Sequence, residues 1–175
     1  DYQTKGSAFV GAVHSDAVGT SIALSRDGDR IAIVDSDDTG SLVKVYDYNS
    51  ATDSWSQIGE SIERKPGETT KTYYSGINPN VGFSDCKDIL VLGDGFFGEN
   101  RDGRVLLFRL SGNNWVEHFS FEGDEQSLST GTSAAISRTG FTFDNQKFGK
   151  TLMYSIPRGA GLVNFHLAKA DRGKG

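Results

Sequence analysis

The sequence is poor in proline and sulfur, with three Pro, one Cys and one Met among 175 residues. A single cysteine, Cys86, excludes an internal disulfide framework. Positive charge is not in excess: 18 Lys and Arg against 23 Asp and Glu leave a net charge of −5. Neutralising a phosphate backbone needs a basic face, so nucleic acid is excluded as a partner. The only dense basic stretch, Lys169 to Lys174, reads as a solvated chain end. No apolar run approaches the roughly 18 to 20 residues that a bilayer-crossing helix needs. No Asn-x-Ser/Thr sequon is present. No stretch sustains a 3.6-residue apolar period, so very little helix is expected.

What the chain does have is glycine, 22 residues of it, in a pattern that suits short strands joined by tight turns. The length allows one domain with a hydrophobic core, here a single β domain over residues 1–175. Within it the sequence repeats. Gly19-Thr-Ser-Ile-Ala-Leu-Ser-Arg-Asp-Gly28 and Gly131-Thr-Ser-Ala-Ala-Ile-Ser-Arg-Thr-Gly140 share seven identities in ten. Their spacing leaves room for a middle copy, and Val81 to Gly93 matches Ala23 to Asp35 with one residue deleted in the turn. Gly40-Ser-Leu-Val-Lys-Val-Tyr is answered by Gly103-Arg-Val-Leu-Leu-Phe and by Gly161-Leu-Val-Asn-Phe, and Trp55 by Trp115. The repeats run over about 17–62, 75–123 and 129–170.

Each repeat reads as a four-stranded antiparallel meander. In the first, Ser21 to Leu24 is a strand and Asp27-Gly28 is a two-residue hairpin signal. Ile31 to Val34 is a continuous apolar run, as for a strand buried on both faces. Leu42 to Tyr48 is a third strand, Asn49 to Asp53 a polar turn, and the Trp55 segment an outer strand. Glu63 to Tyr74, with Pro66-Gly67, reads as a long exposed connection.

Taken together, Gly-x-Ser-x-Ala-Leu-Ser-x-Asp-Gly-x-x-Ile-Ala-Ile, Gly-x-Val-x-Val-Tyr-x-Tyr and Ser-Trp-x-Gln-x-Gly-x-x-Ile resemble the repeats of FG-GAP/integrin-α-like β-propellers. The version most similar is abundant in secreted proteins of diatoms, related algae and marine bacteria. The resemblance implies an all-β fold of about three four-stranded antiparallel propeller-like blades, a partial or open propeller. It also implies a non-catalytic adhesive or scaffolding role in an extracytoplasmic setting, either secreted or in an organelle lumen. An N-terminus without Met or an apolar segment fits a mature end left by a removed targeting peptide, or a cut boundary.

Propellers close with about four to eight blades, so three leave apolar end faces bare. The chain is therefore expected to be a fragment, to pair into a six-blade ring, or to dock on another protein, and docking or pairing is the expectation. The algal character of the repeat makes the lumenal side of a photosynthetic complex such as diatom photosystem II a concrete host, with the chain as an extrinsic subunit peripheral to that membrane complex. Alternatives are a Ca²⁺-dependent adhesive or glycan-binding propeller, and a hydrolase with its site in a propeller channel.

Candidate chemistry is sparse. Gly93-Asp-Gly95-Phe-Phe-Gly98 satisfies Gly-x-Gly-x-x-Gly, but a dinucleotide fingerprint requires a following helix and a strand follows here. No cofactor is expected. Asp35-Ser-Asp37-Asp38-Thr-Gly40 lies where FG-GAP blades hold Ca²⁺, and copy two offers Asp94, Glu99, Asn100 and Asp102. The family's Asp-x-Asp-x-Asp-Gly spacing is unmet and the corresponding turn of copy three (Ser155 to Gly159) has no acid, so no metal site is assigned and only weak Ca²⁺ binding is open. His14, His118 and His166 have no recurrent acid and nucleophile nearby, and Ser21 and Ser133 recur with the repeat, so no catalytic residue is assigned and the chain is read as not an enzyme. The interface candidates are the aromatic pairs Tyr73-Tyr74 and Phe96-Phe97, which fall on loops. Trp55 and Trp115 recur with the repeat and read as packing residues.

Overall fold

The computed structural model describes residues 3–11, 18–37, 40–63, 80–95, 97–98, 102–123, 130–137, 140–145, 150–155 and 167–168; for 36–37, 40–42 and everything from 140 onward this means the backbone alone. These residues form three four-stranded antiparallel sheets, and no helix occurs among them. The first sheet holds β1 (Ile22–Leu24), β2 (Arg30–Asp37), β3 (Gly40–Asn49) and β4 (Ser54–Gln57), in that order. The second holds β5 (Asn80–Phe83), β6 (Ile89–Asp94), β7 (Arg104–Ser111) and β8 (Asn114–Glu122). The third holds β9 (Ala134–Ile136), β10 (Gly140–Asn145), β11 (Lys150–Ser155) and β12 (Leu167–Ala168). Every sheet is a meander in chain order. β1 lies beside β5 and β5 beside β9, so the first strands of successive sheets are neighbours.

Three local expectations are corrected. The β1–β2 turn is longer than a two-residue hairpin, because Ser25 N–H donates to the Arg30 carbonyl at 2.8 Å and Gly28 N–H to the Ser25 carbonyl at 2.9 Å. Asp27-Gly28 thus closes a β-turn inside a wider loop, where the Ser25 hydroxyl donates to Asp27 at 2.8 Å and accepts from Arg30 N–H at 2.9 Å. The middle copy carries no deletion: Ser84 and Lys87 repeat the turn bonds of Ser25 and Gly28, and Phe83↔Leu90 repeats Leu24↔Ile31. Cys86 accordingly stands at the place of Asp27, exposed in a turn. In the third copy the third strand is β11 (Lys150–Ser155); Gly161 to Phe165 lies outside the described residues, as does most of the long connection from Glu63.

Strand alternation builds the core. Ala32, Val34, Val43 and Val45 form one buried side of sheet one and pack against Leu90, Leu92, Leu106 and Phe108 of sheet two. The opposite side of sheet two, Val91, Val105 and Leu107, packs against Ala134 and Ile136 of sheet three. Sheet two is therefore covered on both faces, which explains its unbroken apolar runs at Ile89 to Leu92 and Val105 to Phe108. Its last strand, β8, alternates exposed and half-buried residues along its whole length, as an outer strand does. At about 1.5 to 3 kcal/mol for each fully buried Leu, Val or Phe side chain, this three-layer stack is the main source of stability.

Candidate protein interface

The same inter-sheet joint is built twice. At the joint of sheets one and two, Val81 N–H donates to Ser21 Oγ at 3.3 Å. At the joint of sheets two and three, Ala134 N–H donates to Asn80 Oδ1 at 2.8 Å, and Asn80 Nδ2 donates to the carbonyls of Gly131 and Thr132 at 2.9 and 2.8 Å. Ser21, directly before β1, and Asn80, the first residue of β5, hold equivalent positions, each one residue ahead of the paired residues Ile22 and Val81, and each clasps the next sheet. Ser21 thus serves the structural hydrogen bonding expected from its recurrence.

Farther from the first strands, sheet one grips sheet two through Arg30, Ile58 and Gly59. The Arg30 guanidinium, held by Asp47 at 2.5 and 2.7 Å, donates to the Lys87 carbonyl at 2.7 Å and lies 6.0 Å over the Trp115 ring. The Trp115 indole N–H donates to the Ile58 carbonyl at 3.2 Å. Gly59, at φ +75°, lies so close to Trp115 that a Cβ there would come within 3.0 Å of the indole. The neighbouring turns are tied by an ion pair between Lys87 and Asp27, and this bond, with the Ser25 hydroxyl, holds the Asp27 carboxyl well below the ordinary carboxylate range.

A segment that carries no clear repeat pattern reproduces this grip on sheet one. Lys5 Nζ donates to the Gly28 carbonyl at 2.9 Å, as Arg30 does to Lys87, and lies 6.0 Å over Trp55, as Arg30 lies over Trp115. Trp55 donates to the Lys5 carbonyl at 2.8 Å, as Trp115 does to Ile58. Gly6, at φ +66°, takes the place of Gly59 against the indole. Phe9 then packs on Tyr46 and Trp55, with ring centroids 4.7 and 5.8 Å away. Residues 5–9 are thus a strap that stands in for the outer half of a neighbouring sheet. Sequence reading missed it; the one available signal was Lys5-Gly6 echoing Ile58-Gly59 ahead of a bulky residue.

Beside the strap, two side chains of β1 stay bare. Ile22 is 62% exposed and Leu24 59%, although their counterparts Val81 and Phe83 are packed into the core by sheet one. Val10, 83% exposed, lines a small cleft with Phe9, Val18, Ile33, Asp35, Lys44 and Tyr46. Apolar side chains are thus left bare at a place that the fold elsewhere covers.

The residues singled out from sequence fall elsewhere. Tyr73, Tyr74 and Phe96 lie outside the described residues, as do His14 and His166. Phe97 is half-buried, with the Arg104 guanidinium 3.9 Å above its ring. Asp94 and Arg104 form a buried pair at 3.7 Å, and Asp35 is bonded to Lys44 at 3.0 Å, so these acidic side chains already face cations. Among the described residues no three His, Cys, Asp or Glu side chains gather as a metal site. Beyond Gly98 the next element among the described residues is the strand β7, and no helix among the described residues is long and apolar enough to cross a membrane. His118 is exposed on β8. No protein-family model matches the chain, and no curated protein does.

Proposed function

We propose that this chain is a non-enzymatic protein-docking module, with its three sheets acting as blades of an open FG-GAP-like propeller. The neighbouring first strands β1, β5 and β9 and the repeated joint support the blade reading. The observation that carries the docking role is the exposure of Ile22 and Leu24 where Val81 and Phe83 are covered. A face that the repeat elsewhere buries, kept apolar and half-dressed by a strap, is suited to receive another protein. The setting is extracytoplasmic, and the concrete host is the lumenal side of a photosynthetic membrane complex such as photosystem II of a diatom, with this chain as an extrinsic subunit.

The test is reconstitution. Purified chain is added to photosystem II stripped of its extrinsic subunits, and the retained fraction is measured by mass spectrometry. Retention of the wild type with at least about tenfold loss for Leu24→Arg is expected, since hot-spot truncation or charge insertion at an apolar contact costs about 2 kcal/mol or more. No retention of the wild type rejects that host, and retention indifferent to Leu24 rejects this face.

A further inference from the structure

We infer that sheet one carries a recognition site for a lysine followed by a glycine on the host protein, and that the strap's own Lys5-Gly6 fills this site in the free chain. The inference rests on the docking reading above and names what the host presents and what it displaces.

The Lys5 ammonium ends in a cage. It lies 4.3 Å from the centre of the Tyr48 ring and 6.0 Å from that of Trp55, and the two rings stand 5.1 Å apart. It donates to the Gly28 carbonyl at 2.9 Å and to the Asp29 carboxylate at 2.5 Å. Two aromatic faces, a carbonyl and a carboxylate suit a point charge that carries three donors and no acceptor. The residue after the lysine is read as well. Trp55 N–H donates to the Lys5 carbonyl at 2.8 Å, Gly6 N–H donates to Asp53 at 2.9 Å, and a Cβ at Gly6 would meet the indole at 2.7 Å. The site therefore selects a lysine and then a glycine. It adjoins the bare part of β1: a Cβ at Gly28 would lie 3.9 Å from Leu24 Cδ2 and 4.0 Å from Lys5 Nζ.

The equivalent place on sheet two lacks such a cage. Tyr48 is paired with Trp55 across sheet one, where sheet two pairs Leu110 with Trp115. Asp29 and Asp88 correspond, since their carbonyls accept from the N–H groups of Tyr48 and Leu110. Asp88 faces Arg109 of its own sheet at 3.8 Å, but sheet one has Asp47 at that place, and Asp47 holds Arg30. The cation that enters sheet two, Arg30, thus arrives with its own acid. Sheet one keeps Asp29 for a cation that arrives bare. The first joint also assembles its grip from two separate stretches, Arg30 and Ile58-Gly59, so the grip is not tied to one chain path. The strap is held by Lys5, Gly6 and Phe9 with no strand pairing among the described residues, so a segment of the same chemistry can take its place.

The full-length chain, isotopically labelled at nitrogen, is titrated with the end-blocked peptide Gln-Thr-Lys-Gly-Ser-Ala-Phe, a copy of residues 3–9. The indole N–H signals of Trp55 and Trp115 are followed by nuclear magnetic resonance. Gly6→Val unseats the strap and shifts the Trp55 signal; Lys5→Gln is a second way to empty the cage. In both variants the peptide moves the Trp55 signal toward its wild-type position and leaves that of Trp115 in place. The wild type needs at least about tenfold more peptide, because a tethered occupant competes at a roughly millimolar effective concentration. Gln in place of Lys in the peptide weakens uptake at least about fivefold. In the Gly6→Val background, Tyr48→Leu, which installs what sheet two carries, has a similar effect, and Tyr48→Phe keeps the uptake.

Uptake by neither variant up to about 5 mM peptide, above the effective concentration of the tethered strap, overturns the inference. So does a Gln peptide taken up as readily as the Lys one. Equal uptake by the wild type and Gly6→Val overturns it too, since the strap would then not occupy the site. Host retention that falls on Leu24→Arg and not on Tyr48→Leu would sink this inference and leave the docking reading standing. Peptide uptake as described, without retention by photosystem II, rejects that host and leaves the cage assigned.

Discussion

The indole N–H of Trp55 donates to the carbonyl of Lys5 at 2.8 Å, across 50 positions of chain. This bond fixes the strap at the place where a neighbouring sheet would grip, and it requires a particular backbone next to it. Gly6 has φ +66°, and a Cβ there would meet Trp55 Cδ1 at 2.7 Å.

Gly6→Val is therefore penalised twice, by the left-handed conformation and by the indole. The left-handed cost alone is about 1 to 2 kcal/mol, and overpacking adds about 1 to 3 kcal/mol unless the strap detaches. Detachment is the cheaper response, because the strap is held by side-chain bonds and ring contacts and by no strand pairing among the described residues. The expected outcome is release of residues 5–9 with the sheets intact. It is measured as faster amide exchange at Gly6 and Phe9 and a red-shifted Trp55 emission, with unchanged protection at Val34 and Leu90. Loss of protection throughout the core would show that the strap is integral to folding.

The pair Asp94–Arg104 is 3% and 6% exposed, with Phe97 against the guanidinium. Two opposite charges face each other out of water, Arg104 Nε 3.7 Å from Asp94 Oδ2. Removing one leaves the other buried without the opposite charge it faces, at about 3 to 5 kcal/mol, whereas replacing both with apolar groups of similar volume is often neutral or stabilising. Arg104→Met alone is expected to lower the urea midpoint sharply, and Arg104→Met with Asp94→Leu to restore most of it. A double variant no better than the single one would show that the two charges are not coupled.

The repeat was legible in sequence because Gly19 to Gly28 and Gly131 to Gly140 keep the same turn and first-strand chemistry. The meanders followed from it, since a buried sheet writes itself as apolar runs such as Ile89 to Leu92. The joint was not legible. Its two clasping residues, Ser21 and Asn80, differ in type and share only the role of accepting one N–H, which needs the register to be seen. The strap was hidden for a related reason: Lys5 does the work of Arg30 from a different place in the chain, so no alignment lines them up. Buried charge was hidden as well. Arg104 stands opposite Asp94 where the first copy places Leu42 opposite Asp35, and a loop rich in acids reads as solvated until its cation is located.

Titration offers a prediction with two ends. The Tyr48 hydroxyl donates to Asp53 Oδ1 at 2.5 Å, and Gly6 N–H donates to the same oxygen at 2.9 Å. The tyrosine bond first, and the backbone bond second, lower the Asp53 pKa, and the same carboxylate raises that of Tyr48. A carboxyl whose folded value is depressed stabilises the fold above its unfolded value of about 3.9 and loses that contribution as pH falls through the folded value. A phenol whose folded value is raised stabilises below about 10 and loses its contribution as pH rises through the folded value. One bond is therefore broken at both extremes, by a proton on Asp53 in acid and by its removal from Tyr48 in alkali. Asp53→Asn keeps a residue type that tolerates the observed φ of 47° and deletes the charge. The melting-temperature difference between wild type and Asp53→Asn is expected to be greatest between about pH 5 and 9. It should narrow below about pH 3 and again above about pH 10, with Tyr48→Phe removing the alkaline limb and shrinking the acid one, since only the Gly6 bond then lowers the Asp53 pKa. A difference that stays flat from acid to alkali would mean that the carboxylate does not act through this bond.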